Sequence, residues 1–422
     1  MVPRLVFAAA CLIVLLPPDH AGASNCAGTS TGLIPLIDLG TGFYQGAQGG
    51  LYPGGSNTRP PAHLAAGLAI ANAIAPLDTF GNPDPNGRVV LISIGMSNTT
   101  MEFSTFVPKA NADPAKRADV LVVDCAQGGQ AASDIKDPNA PYWSTVATRL
   151  RQAHSSPAQA QVVWLKEALR GPTGGFPAAT DTLRWYLGSI VRVIKDKLPN
   201  ARICYLASRI YAGYASTTLN PEPYAYESGF AVKGLIATQM SGEDSLNFDP
   251  AAGPVEAPWL TWGPYLWADG LNPRSDGLIW TCDDFNSDGT HPTTAGRDVV
   301  ADSLLAFFKR DETAVPWFVN GLVAVGGTPA QAPLFLAPNP ARTHVELSAP
   351  WPFGSVEVMD VAGRRLFSSG ALRWMMGPQT EYRYRWDLRD DAGRRVPNGL
   401  YWIRVQTRAA RLERRVLVVE AR

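Results

Sequence analysis

Val89-Val90-Leu91-Ile92-Ser93-Ile94-Gly95-Met96-Ser97-Asn98-Thr99 is the stretch on which the fold turns. Its first six residues form an almost unbroken apolar run of strand length. A strand buried on both faces needs such a run, as in a parallel sheet covered by helices. The run ends in Gly95-Met96-Ser97-Asn98. Ligands of α/β sheets sit beyond the carboxyl ends of the strands, so Ser97 stands where a nucleophile would be placed. The stretch departs from the G-x-S-x-G elbow, because Thr99 occupies the second glycine position. Ser97 and Asn98 would equally suit a helix cap.

Working outward, Val120–Val123, Val162–Leu165 and Ile203–Leu206 read as further buried strands, with Leu278–Trp280 as a fifth. Between the third and fourth strands, Leu183, Leu187, Ile190, Val191, Ile194 and Leu198 recur at helical spacing, with Arg192, Lys195 and Lys197 turned outward. A last helix follows Pro292, with Val299, Val300, Leu304, Leu305 and Phe308 inward. Such alternation predicts a parallel α/β sheet with helices on both faces. Residues 24 to about 87 are rich in Gly and Pro and read as loop, with a short helix over 64–75.

The chain has 422 residues, 46% hydrophobic and 18% charged, with 37 basic and 37 acidic residues. That length suggests more than one domain. The apolar content excludes a disordered chain. The charge balance lacks the basic surplus of a nucleic-acid partner, and none is expected. The neutral total divides unevenly. From Ala337 onward there are 15 Arg, no Lys and nine acids, a surplus of six positive charges. The preceding part carries the matching deficit. From Ala337 the pattern also changes to short alternating strands, such as Val356–Met359 and Tyr401–Val405, with a turn at Pro397-Asn398-Gly399.

Arg4, the apolar run Leu5–Leu16 and Ala21-Gly22-Ala23 have the form of a signal peptide over residues 1–23. The expected location is secreted or cell-surface. The predicted organisation is then 24–311, an α/β domain; 312–336, a linker; and 337–422, a β-sandwich. Cys26, Cys125, Cys204 and Cys282 remain after cleavage. Four cysteines allow three pairings, and Cys204 would equally suit a buried thiol.

Asp288-Gly289-Thr290-His291-Pro292 supplies a second chemical signal. A serine hydroxyl is a weak nucleophile until a base accepts its proton. A carboxylate then fixes the tautomer of that base. Asp288 and His291, three residues apart, can form that pair locally, against the simpler reading of a turn with a surface histidine. His63 and His154 are the other histidines of the α/β part, and both are weaker candidates. Asp284–Gly289 has the start of a calcium loop, but Ala295 stands where its closing Glu belongs. No cluster suggests a metal, and no cofactor is expected. Gln127-Gly128-Gly129-Gln130 follows the second strand, where glycine backbone N–H groups could face an oxyanion.

Together these blocks resemble the SGNH (GDSL-type) hydrolase superfamily over roughly residues 88–311. Gly95-Met96-Ser97 is similar to its first block, with Met96 in place of the usual Asp. Gly128-Gly129 is similar to the second, and Asp288–Pro292 to the last. The resemblance implies a flavodoxin-like three-layer parallel sheet. It also implies catalytic Ser97, His291 and Asp288, with Gly129 as oxyanion donor. The third block departs: Trp164-Leu165-Lys166-Glu167 replaces G-x-N-D, so Lys166 would stand at the oxyanion Asn or pair with an acid instead. The Ser97-Asn98 pair is similar to the sialate and xylan acetylesterase branches, which implies carbohydrate O-acetyl esters, on small molecules or polysaccharides, as substrates. Trp259, Trp262, Tyr265 and Trp267 would then stack on sugar rings or simply pack a long loop.

Residues 337–422 carry Asp360–Arg365, Trp386-Asp387, Asp391–Arg394 and Pro397–Tyr401. They resemble the FlgD-like Ig fold and the sorting domains of type IX secretion. That resemblance implies secretion machinery or a cell-surface component as partner. The expected function is an exported serine ester hydrolase. The alternative is a non-catalytic surface or carbohydrate-binding protein with a degenerate hydrolase fold, and Lys166 is the feature that favours it.

Overall fold

Five parallel strands form the centre of the first unit: β1 (Val89–Gly95), β2 (Val120–Asp124), β3 (Ala160–Lys166), β4 (Ile203–Ala207) and β5 (Trp259–Trp262). In this computed structural model the described residues are 23–320, 335–349, 354–360, 363–370, 382–406 and 411–420. The proposed signal segment, apart from its last residue, lies outside them.

The strand order is β2-β1-β3-β4-β5, the flavodoxin-like order. Its switch point lies between β1 and β3. Every residue of β1, β3 and β4 is buried, which is why these runs are mainly apolar rather than alternating, with Ser93, Gln161 and Lys166 as the buried polar exceptions. Helices flank the sheet: α1 (Pro61–Asn72), α2 (Ser97–Ala112), α3 (Pro141–Gln152), α4 (Ala178–Lys197), α5 (Tyr224–Met240) and α6 (Thr294–Arg310). Helices α2 and α6 pack together, as do α4 and α5. On α2, Phe103 stacks on Trp164 of β3 at 5.6 Å between ring centres, and Phe106 meets Phe308 of α6 at 5.6 Å.

Two expectations need correction. The fifth strand is Trp259–Trp262, not Leu278–Trp280. The latter segment is loop, with Trp280 buried alone and Ile279 exposed. Residues 312–320, expected to begin the linker, belong to the α/β unit. Trp317 and Phe318 are fully buried in its core, and Asn320 N–H donates to Ala115 O. Helix α5 lacks an amphipathic stripe because it is buried on most of its circumference.

The two compact units divide at Leu322/Val323. The second contains two antiparallel sheets. One has the order β9-β8-β11-β12 and the other β10-β7-β6. These strands are β6 (Phe335–Ala337), β7 (Val345–Ala349), β8 (Ser355–Met359), β9 (Arg365–Ser368), β10 (Tyr382–Trp386), β11 (Gly399–Gln406) and β12 (Arg411–Val418). Trp386, Tyr401 and the inward Val and Ile residues form a separate core.

One disulfide joins Cys26 to Cys282, with Cα atoms 5.4 Å apart. It ties the start of the described chain to the segment just before Asp288. Cys125 and Cys204 are buried free thiols.

Candidate active site

Ser97 is the first residue of α2, immediately beyond the end of β1. Gly95 makes this sharp transition feasible. Its φ is +152°, and a Cβ there would lie 2.2 Å from Lys166 O and 2.5 Å from Thr99 Oγ1. The Gly95 N–H donates to Tyr142 Oη at 2.9 Å, and Gly95 O accepts from Gln127 N at 2.9 Å. The strand end is therefore pinned on both sides.

His291 arrives from the loop before α6. Its Nε2 lies 2.8 Å from Ser97 Oγ, and its Nδ1 lies 2.5 Å from Asp288 Oδ2. Asp288 Oδ1 accepts from the backbone N–H of Thr290 at 2.9 Å and of His291 at 3.0 Å. Burial alone would raise the Asp288 pKa. The hydrogen bonds from the His291 ring and from the two backbone groups outweigh it and hold the carboxyl below its usual range. An ionised Asp288 accepts only, so Nδ1 carries the proton and Nε2 offers its lone pair to the Ser97 hydroxyl.

The loop is closed by residues that the motif alone does not identify. Gly289 has φ +63°, and a Cβ there would lie 1.8 Å from Tyr214 O. Asn98, buried beside Ser97, donates from Nδ2 to Thr290 O at 3.0 Å. Its amide thus links the serine helix directly to the histidine loop.

A pocket of about 220 Å³ opens at Ser97 and His291. It lies at the sheet's switch point, between the ends of β1 and β3. Gly129, Leu169, Arg170, Arg209, Leu219 and Asn220 help to line it. Gly129 has φ +73°, and its carbonyl accepts from Arg170, which also pairs with Asp134 at 2.7 Å. The Ser97 and Gly129 N–H groups donate to no acceptor among the described residues. Both are free to serve a ligand in this pocket.

Lys166 is not brought there. Its ammonium is fully buried beneath the site and sits 2.6 Å from both oxygens of Glu102 on α2. The expected oxyanion position is thereby corrected. Register pairs Lys166 with Gly95, and the side chain is directed into the helix layer rather than the pocket. Burial lowers the Lys166 pKa to about 8, against the opposing pull of Glu102. Burial likewise raises that of Glu102, although Lys166 opposes it.

The aromatic residues expected to stack on sugars are core residues. Trp259, Trp262, Tyr265 and Trp267 are all buried. Their indole N–H groups go to His63 Nδ1, Leu51 O and Glu222 Oε1. His63 is consequently a packing residue, its pKa lowered to about 4 by burial. His154 is exposed and outside the pocket.

No protein-family profile and no curated protein matches the chain. Several solved structures are similar to it. A candidate acylhydrolase of Bacteroides fragilis is 16% identical, with 59% of this chain and 97% of that one covered and a TM-score of 0.31. The periplasmic domain of a lipopolysaccharide acetyltransferase from Salmonella ser. Paratyphi A is 15% identical, covering 53% and 85%, with a TM-score of 0.30. PorZ, a surface component of the type-IX secretion system of Porphyromonas gingivalis, is 26% identical over 21% of this chain, with a TM-score of 0.17. The chain spans only 11% of the length of PorZ. At these scores the likeness identifies neither substrate nor mechanism.

Proposed function

We propose that this chain is an exported serine ester hydrolase. The observation that carries the reading is the unbroken relay from Ser97 Oγ through His291 to Asp288 at the mouth of a pocket. In this mechanism His291 Nε2 takes the Ser97 proton as Oγ attacks the acyl carbonyl. Asp288 stabilises the imidazolium that forms. The N–H groups of Ser97 and Gly129 receive the oxyanion, aided by the positive end of α2. His291 then returns the proton to the leaving alcohol. Water, activated by the same imidazole, releases the acid from the acyl-enzyme.

Acetyl esters of carbohydrates are the first substrates to try, on the strength of the resemblance at Ser97-Asn98. Export is supported by the signal-like N-terminus and by the Cys26–Cys282 bridge, since disulfides persist in oxidising compartments. The basic C-terminal unit is proposed as an attachment or sorting module. The test is hydrolysis of 4-nitrophenyl acetate and of acetylated polysaccharide by the wild-type chain and by Ser97→Ala. Equal rates for the two proteins would sink the mechanism.

A further inference from the structure

We infer that the pocket holds a second recognition point, built from Arg209 and Asn220, for a carboxylate group on the ester substrate. This rests on the hydrolase reading above and adds to it a chemical class of substrate.

Arg209 is 1% exposed and yet lines the pocket. Its guanidinium makes one hydrogen bond among the described residues, from Nη2 to Thr290 O at 3.5 Å, the outer limit of such a contact. Its Nε has no partner. Four carboxylates attract the guanidinium at longer range: Glu102, Glu222, Glu167 and Asp288. Three of them are committed elsewhere. Glu102 holds Lys166 with both oxygens. Glu222 accepts from Ala212 N, Tyr226 N and Trp267 Nε1. Asp288 serves His291 and Thr290. The fourth, Glu167, accepts from Ala168 N with Oε2 alone and leaves Oε1 without a partner, and burial pushes its carboxyl towards the neutral form rather than towards an ion pair with Arg209.

A buried guanidinium without an ion-pair partner is a costly thing for a fold to keep. The arrangement is explained when the partner arrives with the ligand. Asn220 makes the same point with an acceptor. It is 5% exposed, donates from Nδ2 to Leu169 O at 3.2 Å, and leaves Oδ1 without a donor. Both residues line the pocket that contains Ser97. A carboxylate with a hydroxyl or N–H nearby satisfies both: its oxygens take the Arg209 fork and its donor meets Asn220 Oδ1. The carboxylate can belong to the acyl part or to the alcohol. The recognition chemistry is the same in both cases.

Binding can be read by calorimetry on the full chain, with no turnover required. The probes are malate against malamide, for the acyl side, and glucuronate against glucose, for the alcohol side; both acids carry a hydroxyl beside the carboxylate for Asn220. At least one acid is expected to bind tenfold or more tightly than its neutral counterpart. Arg209→Gln and Asn220→Ala should each weaken that binding tenfold or more, while Arg209→Lys, which keeps charge but loses the fork, falls between. The tighter acid identifies the side that carries the carboxylate. Acids and neutral counterparts binding alike would overturn the inference, as would undiminished acid binding to both Arg209→Gln and Asn220→Ala. Should one variant fail to fold, the other and Arg209→Lys still decide it. Acid binding in a chain that hydrolyses no ester would remove the hydrolase reading and leave the recognition point standing.

Discussion

Two charged groupings lie close together at the ends of β1 and β3, and they differ in almost every respect. Lys166 and Glu102 are fully buried, and the ammonium is held by both oxygens of the carboxylate. Asp288 and His291 retain about a fifth of their side-chain exposure and face a pocket through Ser97. The first pair has no access to a ligand. The second has an acceptor nitrogen aimed at a hydroxyl at the pocket mouth. Proximity to a strand end therefore does not by itself make a charged residue a catalytic candidate; direction and access do. The buried pair holds β3 to α2 beneath the site, whereas the partly open relay has the geometry that the proposed proton transfer requires.

This contrast can be broken most sharply at Ser97. Ser97→Ala is expected to lower the rate of ester hydrolysis by roughly 10⁴-fold or more, with the melting temperature almost unchanged. Measured kcat and thermal melts check both halves. Next, Asp288→Asn should cost roughly 10³- to 10⁴-fold in kcat by favouring the wrong tautomer of His291. If kcat is retained, the relay is not the proton path.

On the buried side, Lys166→Met leaves Glu102 without its cation. A loss of roughly 3–5 kcal/mol in stability is expected by denaturant titration. The double variant Lys166→Met/Glu102→Leu should recover much of it. Activity per folded molecule should fall far less than in Ser97→Ala. A large fall in kcat with intact stability would return Lys166 to the oxyanion role.

The smallest effect concerns His63. Its folded pKa of about 4 lies below its ordinary value of 6.5 because burial disfavours the cation. The unfolded chain thus binds the extra proton between those values. The contribution is complete above pH 6.5 and is lost as pH falls towards 4, amounting to about 3 kcal/mol. Stability measured across that window should fall less steeply in His63→Gln than in the wild type.

Much of the fold could be read from local pattern. Strands β1 to β4 are largely apolar on both faces, so each contains a run of apolar residues with at most one polar break. Helix α4 has one exposed face, so its stripe is visible. Strand β5 escaped because Trp259-Leu260-Thr261-Trp262 looks equally like a loop platform for a ligand. Only its pairing with Ile203–Leu206 distinguishes the two. Within the site, Ser97, Gly129, Asp288 and His291 carried recognisable local signals. Arg209 and Asn220 carried none. They belong to a loop between β4 and α5 whose route over the site follows no periodicity. Asn98 was noticed for its type, but its bond to Thr290, 192 residues away, was not foreseeable.

The sequence by itself determined the alternating α/β framework, the change to an Arg-only β module near Ala337, and the Asp288–His291 pair. Apolar runs, charge composition and a three-residue spacing are all local quantities. The tertiary structure alone decided which cysteines join, that Lys166 meets Glu102 rather than the pocket, and that Arg209 Nε and Asn220 Oδ1 are left without partners in residues that line the pocket with Ser97. Those outcomes depend on register between strands and on which side chain points into which layer. Such contacts join residues tens to hundreds of positions apart, and no local pattern encodes them.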